Sequence, residues 1–356
     1  MTSKERVLRT FTRGPTDRPP VNYHANAGID RRLKEHFGLK PEDWEGLFRA
    51  IGVDFRNVGA HYTGGKLHAD IPERGVYANE WGIRYRWIEH PTGGYWDFCD
   101  FPLQHADLKT VREWPMPTPD MHDYSRIADD CERNRDYAVV LGNAGVGDII
   151  NSTGMIRTME QVLVDLMFDD EACLHYIDRR TEINLEIMRR SFEAAKGKID
   201  ILWLGEDLGT QIAPLISLEL YRKHLRPRHQ PFIDLAKKYG ARVVIHTCGS
   251  SSWVYPDFIE MGIDGVDSLQ PEAANMSPEY LKKTFGSKLL LHSLISTAAG
   301  PIVHGTAEDT RRYCRDMLEI LAPGGGYCFA PSHCLQDNTP TENAVAMYET
   351  AREYKP

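Results

Sequence analysis

Residues 217–249 read SLELYRKHLRPRHQPFIDLAKKYGARVVIHTCG and set the pattern for the rest of the chain. The first part predicts an amphipathic helix over 217–239, because Ser217 is a good N-cap and Gly240 is a typical stop. The mainly apolar run over 242–247 predicts a buried parallel strand directly after that helix. A helix followed by a buried strand is the repeating unit of parallel α/β folds.

Seven further short runs of the same kind are spread along the chain. Together they make eight predicted strands, which are Pro20–His24, Val53–Gly59, Ala138–Gly142, Ile201–Gly205, Arg242–Thr247, Gly265–Leu269, Leu289–Ser293 and Tyr327–Ala330. Other long helical patterns lie at Asp169–Ala195, Thr306–Leu321 and Thr341–Tyr354. Eight strands with intervening helices favour an α/β fold, a single-domain (β/α)8 (TIM) barrel over residues 1–356, with a doubly wound open sheet as the alternative.

Residues 75–118 depart from this alternation. They contain WGIRYRW at 81–87 and GGYW at 93–96, followed by WPMP at 114–117. Aromatic runs around a Gly-Gly pair predict a β-hairpin inserted after the second strand, and the prolines predict an irregular connection. An insertion at this point would act as a lid over the face of the barrel that carries the catalytic loops.

Composition and charge exclude several classes of protein. The 356 residues carry 51 acidic and 42 basic side chains, a formal net charge of −9, and no basic run of the kind that binds nucleic acid. No apolar run is long enough to cross a membrane. The seven cysteines follow no disulfide framework and no signal peptide is present, which predicts a protein of the reducing cytoplasm. A homodimer and a monomer fit the sequence equally well.

Polar residues cluster where the predicted strands end, which is where the catalytic loops of a barrel begin. We predict that these positions contact a substrate or take part in catalysis: His24, Asn143, Glu206, Asp207, Gln270, His292 and His333. Glu206 and Asp207 suit a general acid or base, or a displaceable metal ligand, and equally a salt bridge or a helix cap. The histidines have the alternative of being hydrogen-bonded structural residues.

The strongest candidate site is His246-x-Cys248 together with Cys334. Residues two apart on a strand point to the same side, so the imidazole and the thiolate converge on one point. Both are preferred zinc ligands, and three protein ligands leave a fourth position open for catalysis. Strands five and eight of a barrel lie about 14 Å apart, so Cys334 has to reach inward from the loop beyond the last strand. The alternative for each cysteine is a free thiol that fills the core.

Several segments resemble the uroporphyrinogen decarboxylase-like superfamily over nearly the whole chain. They are ERVL at 5–8, TDRPP at 16–20, GEDLGTQ at 205–211, KYGARVVIHTCG at 238–249, LAPGGGY at 321–327, APSHC at 330–334 and TPTEN at 339–343. Residues 21–28 lack the arginines with which the true decarboxylases hold tetrapyrrole carboxylates. His246, Cys248 and Cys334 instead match the branch of zinc methyltransferases that work in cobalamin-dependent systems.

The resemblance implies a zinc-dependent methyltransferase that moves a methyl group between a corrinoid and a small methylated substrate, such as an aryl methyl ether, or a thiol. It also implies a separate corrinoid protein as partner, because the chain has no corrinoid-binding motif. An aromatic substrate would pack against the hairpin, with Trp96 as our candidate, and Glu206 would hold the fourth zinc position until substrate arrives. The main alternative is a metal-free decarboxylase or lyase acting on a small carboxylic acid through Asp207 and the histidines. A non-catalytic binding protein is another.

Overall fold

The computed structural model describes the whole chain, residues 1–356. Its strands are β1 (Phe55–Val58), β2 (His61–Tyr62), β3 (Val76–Ala78), β4 (Arg84–His90), β5 (Gly93–Cys99), β6 (His122–Asp123), β7 (Ala138–Gly142), β8 (Ile201–Gly205), β9 (Arg242–His246), β10 (Gly265–Leu269), β11 (Leu290–Ile295) and β12 (Tyr327–Pro331). Seven of them form one curled parallel sheet in the order β1–β7–β8–β9–β10–β11–β12. The chain therefore has an α/β fold built on a parallel sheet, as the sequence predicts.

Helices connect the strands and cover the sheet. They are α1 (Ser3–Phe11), α2 (Ala27–His36), α3 (Trp44–Ile51), α4 (Leu108–Glu113), α5 (Ile127–Arg133), α6 (Ile150–Arg157), α7 (Met159–Phe168), α8 (Glu171–Ala195), α9 (Leu218–Leu220), α10 (Arg226–Lys238), α11 (Tyr255–Met261), α12 (Pro278–Phe285), α13 (Pro301–His304), α14 (Ala307–Leu321) and α15 (Thr341–Glu353). The long predicted helices α8, α14 and α15 begin and end within two residues of their expected bounds. No helix combines the length and the apolar character needed to cross a membrane.

The helix predicted over 217–239 is interrupted by a π-helical turn. Helical residues run from α9 through this turn, Tyr221–Leu225, into α10. Pro227 and Pro231 have no amide hydrogen, so the usual bonds to carbonyls four residues earlier are lost on this helix. A π turn shifts the hydrogen-bond register by one residue, which accommodates such a loss.

Seven of the eight predicted strands are present, with bounds that differ by at most two residues. The first, Pro20–His24, is not a regular strand, which corrects the prediction. Val21 forms an isolated parallel bridge to Phe329 of β12, and one backbone bond joins the amide of Asp54 to the Val21 carbonyl (2.9 Å). Pro20 cannot donate a hydrogen bond, and the Val21 amide binds the Asp54 side chain (2.8 Å), so no regular ladder forms here.

Two apolar clusters lie on the two faces of the sheet. The larger one fills the space between the sheet and the helices. The smaller one fills the concave face with Phe55, Trp203 and Val244, and α1 joins it through Val7 and Phe11. These α1 residues pack at the amino ends of the strands, where they close the interior. Polar residues at the carboxyl ends are left to line the open end.

The insertion predicted over 75–118 contains a three-stranded antiparallel sheet of β3, β4 and β5. Tyr85 and Phe98 pack its base against an apolar cluster that includes residues of α8. Its β4–β5 turn reaches the loop that follows β12, where His90 Nε2 lies 3.6 Å from Asp337 Oδ2. This three-stranded sheet is therefore anchored at both ends.

Candidate metal site

The end of β9 brings His246 and Cys248 to one side of the chain. His246 is the last residue of β9, and its Nε2 lies 3.3 Å from the Sγ of Cys248. Asp207 follows β8 and places its Oδ1 3.6 Å from the same Nε2. The ligand atoms of these three residues all lie within 4.8 Å of one another. The structure thus forms a compact group, here called the metal group, that is able to hold a metal ion.

These separations match a tetrahedral zinc site. Zinc bonds of about 2.0–2.3 Å at tetrahedral angles put neighbouring ligand atoms about 3.3–3.8 Å apart. The Nε2–Sγ distance of 3.3 Å and the Nε2–Oδ1 distance of 3.6 Å lie in this range. Each of the three residues is partly exposed, so a further ligand has room to approach. The donor set of one imidazole, one thiolate and one carboxylate therefore fits zinc.

A buried carboxylate, Asp267 of β10, orients His246 from behind. Its Oδ2 lies 3.0 Å from Nδ1 of His246, and its Oδ1 lies 2.6 Å from Nδ1 of His292. The far nitrogen of His292 lies 3.1 Å from the side-chain nitrogen of Asn22. When Nδ1–H donates to a carboxylate, Nε2 is left to bind a metal, which is the common arrangement around metal-bound histidines.

Contacts between charged side chains outweigh burial in setting the pKa values of Asp267 and His246. Burial opposes ionisation of Asp267, but His292 and His246 hold the pKa of its carboxyl well below the usual range. Burial likewise lowers the pKa of His246, yet hydrogen bonds to Asp267 and Cys248 raise that pKa well above its usual value. The surroundings of His246 therefore favour a positive charge at its ring, supplied by a proton or by a metal.

Sequence reasoning missed Asp267, although a signal was available. Asp267 is the only ionisable residue of β10, and all five residues of this strand are buried. A buried charge needs a partner, because leaving water is costly for an ionised group. A charged residue inside a fully buried strand near His246 is thus a candidate for the site on physical grounds.

The loop after β9 is fixed by side chains from the neighbouring loops. Oδ1 of Asp207 accepts a hydrogen bond from the Cys248 amide (2.8 Å). Oε1 of Gln270 accepts hydrogen bonds from the Gly249 amide (2.7 Å) and from the side chain of Gln211 (3.0 Å). Gln270, which we predicted to bind substrate, supports the loop of the metal group in this structure.

Gly249 should not tolerate a side chain. Its φ is +70°, and a Cβ atom there would lie 2.4 Å from the Gly209 carbonyl oxygen. We expect Gly249→Ala to lower the free energy of unfolding by about 2–4 kcal/mol, since left-handed strain adds to a backbone clash. Chemical denaturation measures this change. Gly240→Ala is the control, because φ is +76° there but no atom lies within 4 Å. Equal losses in the two variants would contradict the role of the clash.

Glu206 points away from the metal group. Its carboxylate accepts hydrogen bonds from the amides of Ile149 (2.8 Å) and Ile150 (3.0 Å) at the start of α6, and lies 3.2 Å from His229 Nε2. Adjacent residues of an extended chain face opposite sides, so Asp207 faces His246 and Glu206 does not. Glu206, which we predicted to hold the fourth zinc position, therefore lies away from the metal group, and Asp207 takes its place in that group. Burial raises the pKa of Glu206 to about 8.

His229 should make the stability of the fold depend on pH. Its ring is fully buried, with Nε2 3.1 Å from the Gly147 carbonyl oxygen, and burial lowers its pKa to about 4. The unfolded chain binds a proton here below pH about 6.5, whereas the folded chain does so only near pH 4. The stabilisation is complete above pH 6.5 and is lost as the pH falls towards 4, about 3 kcal/mol in all.

His229→Gln should remove this dependence. We expect urea midpoints of the wild type and the variant, measured between pH 7.5 and 4.5, to differ most at the highest pH and to converge as the pH falls. Two parallel curves would show that His229 does not stay neutral in the folded protein.

A cavity of about 850 Å³ opens beside the metal group. Its walls include Asp267 and five residues that the sequence predicted, which are His24, Asn143, His246, His333 and Cys334. Cys334 lies outside the compact metal group. Burial raises the pKa of its thiol, and the nearby His246 lowers it in part. Cys334 thus lines the cavity beside the metal group, and its role as a metal ligand stays a prediction.

Three predicted substrate contacts lie outside this cavity: Gln270, His292 and Trp96. His292 is completely buried, with its two ring nitrogens next to Asp267 and Asn22, so substrate cannot reach it. Trp96 is half exposed on β5 and pairs with Trp87 of β4, with ring centres 5.6 Å apart. This cross-strand pair faces solvent, and Trp96 does not line the cavity.

The fold and the metal group define the class: a parallel α/β protein with a candidate metal site beyond the carboxyl ends of its strands. The family described as "Uroporphyrinogen decarboxylase (URO-D)" matches residues 135–354, more than half of the chain. The chain therefore belongs to the uroporphyrinogen decarboxylase family, as its motifs indicate. No curated protein matches it.

Among three of the matching solved structures, one shows a similarity of fold. A methyltransferase from Methanosarcina mazei matches with a TM-score of 0.62 and 17% sequence identity, over 99% of this chain and 99% of that chain. An IolI protein with a bound zinc atom matches with 13% identity and a TM-score of 0.34, over 71% of this chain and 93% of that chain. Xylanase 10B from Thermotoga maritima matches with 12% identity and a TM-score of 0.34, over 65% and 92% of the two chains. The first match extends the similarity in fold to the whole length of the chain.

Proposed function

We propose that this protein is a zinc-dependent methyltransferase of a corrinoid (cobalamin) system. It moves a methyl group between a corrinoid carried by a partner protein and a small methylated substrate or a thiol. The observation that carries the proposal is the metal group of Asp207, His246 and Cys248, in which Nε2 of His246 lies 3.3 Å from the thiol sulfur and 3.6 Å from the carboxylate oxygen, as in a tetrahedral zinc site. The family and the full-length similarity in fold to a methyltransferase support it.

Each residue of the site has a defined role in this proposal. His246 and Cys248 hold the zinc, and Asp267 keeps the imidazole in the metal-binding tautomer. Cys334 is the third permanent ligand, supplied from the cavity wall, and Asp207 holds a position that a substrate atom takes over. A zinc ion bound here supplies Lewis-acid chemistry, which lowers the pKa of a substrate thiol or polarises a methyl ether oxygen.

Three further residues of the cavity handle the substrate. His24 and Asn143 line the cavity, where they contact the substrate. The His333 ring lies 6.3 Å from the His246 ring and lines the same cavity, so we assign to it the proton that a substrate thiol loses or that a leaving oxygen takes up. His333 is therefore the general acid or base of the proposed reaction.

The corrinoid partner reaches the site from the carboxyl ends of the strands. We take residues 1–356 as one domain and the curled sheet as a (β/α)8 barrel, with residues 20–25 in the eighth strand position. The amino ends of such a barrel are closed here by α1, so a cofactor carried on another protein has to approach from the opposite end. The sheet of β3, β4 and β5 acts as a lid at that end.

A methyl-transfer assay tests the proposal. Protein purified without chelator is incubated with cob(I)alamin and a panel of methyl ethers, methylamines and thioethers, or with methylcobalamin and thiols, while the cobalt spectrum is followed. We expect transfer with at least one partner compound and its loss in His246→Ala. A zinc content near zero, combined with release of carbon dioxide from a small carboxylic acid, would overturn the proposal in favour of a metal-free decarboxylase.

A further inference from the structure

The cavity beside the metal group continues outward past β1. Its inner part is lined by His246, Asp267 and Trp203. Its outer part, here called the outer arm, is lined by residues of α3, of the end of α5 and of its connection to β7, together with Arg56 of β1. The charged and aromatic residues of the outer arm include Trp44, Glu45, Arg49, Arg56, Arg133 and Tyr137. One cavity therefore joins the metal group to the surface near α3 and α5.

An opening in the sheet accounts for this continuity. β1 pairs with β7 on one side. On the other side, a single backbone bond, from Asp54 to Val21, links the β1 region to residues 20–25. Past Val21 this segment bonds through its backbone to Leu335, on the far side from β1. Asn57 is accordingly the one exposed residue of β1. The wall of the sheet is open between this segment and β1.

The outer arm is positively charged and aromatic, although the chain has a net charge of −9. The Arg56 guanidinium lies 3.7 Å from the ring centre of Tyr137, and its Nε lies 2.8 Å from Glu45. Arg49 pairs with Glu45 (2.7 Å) and Arg133 pairs with Asp130 (3.2 Å), but the two arginine side chains are 70% and 67% exposed, so N–H groups outside these pairs remain accessible. A local positive field attracts small anions, and the guanidinium group matches the geometry of a carboxylate.

We propose that the outer arm is a side entrance through which a small carboxylate-bearing molecule reaches the metal group. This inference rests on the proposed function, in which a corrinoid protein covers the carboxyl ends of the strands. A substrate that enters past α3 and α5 does not have to wait for that partner to leave. The arginines attract its carboxylate, and the rings of Trp44 and Tyr137 offer apolar walls to the rest of the molecule.

Alkylation of Cys334, which lines the same cavity, tests the entrance independently of metal and reaction. The full-length protein is dialysed against a chelator so that the thiol is free. It is then treated at low salt with iodoacetate, itself a small carboxylate, or with neutral iodoacetamide. Mass spectrometry of the modified peptide gives the two rates. The test variant combines Arg49→Gln with Arg133→Gln. The control combines Arg312→Gln with Arg315→Gln, which removes the same charge from exposed arginines of α14.

We expect the test variant to react about fivefold more slowly with iodoacetate, while its iodoacetamide rate and both rates of the control change less than about twofold. A variant that blocks the opening with a larger side chain gives a second measure of access to Cys334. Asn57→Phe fills the opening beside β1 and should slow both reagents, whereas Asn57→Ala should not. Unchanged rates in the arginine variant and in Asn57→Phe overturn the side entrance. That result leaves zinc binding and methyl transfer unaffected, so a failure of the entrance and a failure of the proposed function are distinguishable.

Discussion

The Cys248→Ser variant is expected to lose most of its zinc and nearly all methyl transfer. A structural zinc site binds with about 10–16 kcal/mol, so one of four ligands contributes about 3 kcal/mol, or roughly a 100-fold change in affinity. A serine hydroxyl is not ionised at neutral pH and does not replace a thiolate. Because the Cys248 Sγ lies 3.3 Å from His246 Nε2, its loss removes one corner of the metal group. Competition with a chromophoric chelator measures the zinc affinity.

Matched variants make this experiment specific. Cys99→Ser replaces a cysteine of β5 outside the cavity and should bind zinc like the wild type. Asp207→Asn and Cys334→Ser then compare the carboxylate that the structure places beside His246 with the thiol on the cavity wall. The variant with the larger loss of zinc affinity identifies the stronger of the two ligands. An unchanged zinc affinity in Cys248→Ser would exclude the metal group as the zinc site.

Asp267→Asn should weaken zinc binding about 10- to 100-fold although Asp267 is not a metal ligand. The carboxylate contacts His246 at 3.0 Å and His292 at 2.6 Å. An asparagine offers only one oxygen, so one of the two Nδ1–H groups loses its acceptor. If that group is His246, the ring no longer has a fixed tautomer with Nε2 free for the metal. The same chelator competition measures the affinity, and methyl transfer should fall with it.

A general loss of stability has to be separated from this effect. Removing one partner of a buried ionic group costs about 3–5 kcal/mol, so Asp267→Asn also lowers the free energy of unfolding. Asp165→Asn is the control, because Asp165 is buried and binds Arg157 at 2.8 Å. We expect that control to lose stability and keep its zinc affinity. If both variants kept the wild-type zinc affinity, Asp267 would be a structural residue only.

The sequence predicts most of the fold because buried parallel strands are continuous apolar runs. The predicted bounds of β7, β8 and β10 agree with the structure to the residue. The prediction fails for Pro20–His24, where the amide of Val21 binds the Asp54 side chain, a contact between positions 33 residues apart. No local pattern signals such a contact. Pro227 and Pro231, in contrast, are visible in the sequence, and the π turn just before Pro227 accommodates its missing amide.

The residues of the site also fall into those that the sequence predicts and those that only the structure places. His246 and Cys248 are predictable because strand alternation puts both on one side. For Glu206 and Asp207 the sequence shows only that neighbours face opposite sides, and the structure decides which of them faces His246. Trp96 shows a further limit. Composition indicates an aromatic hairpin, but only the strand register shows that this ring pairs with Trp87 away from the cavity.

Zinc content is the most direct test of the central claim, a zinc site built on His246 and Cys248. The protein is purified without chelators, and its metals are counted per chain by inductively coupled plasma mass spectrometry. The account predicts close to one zinc per folded chain. A folded protein that contains no zinc, and that takes up none when zinc is added, would contradict it.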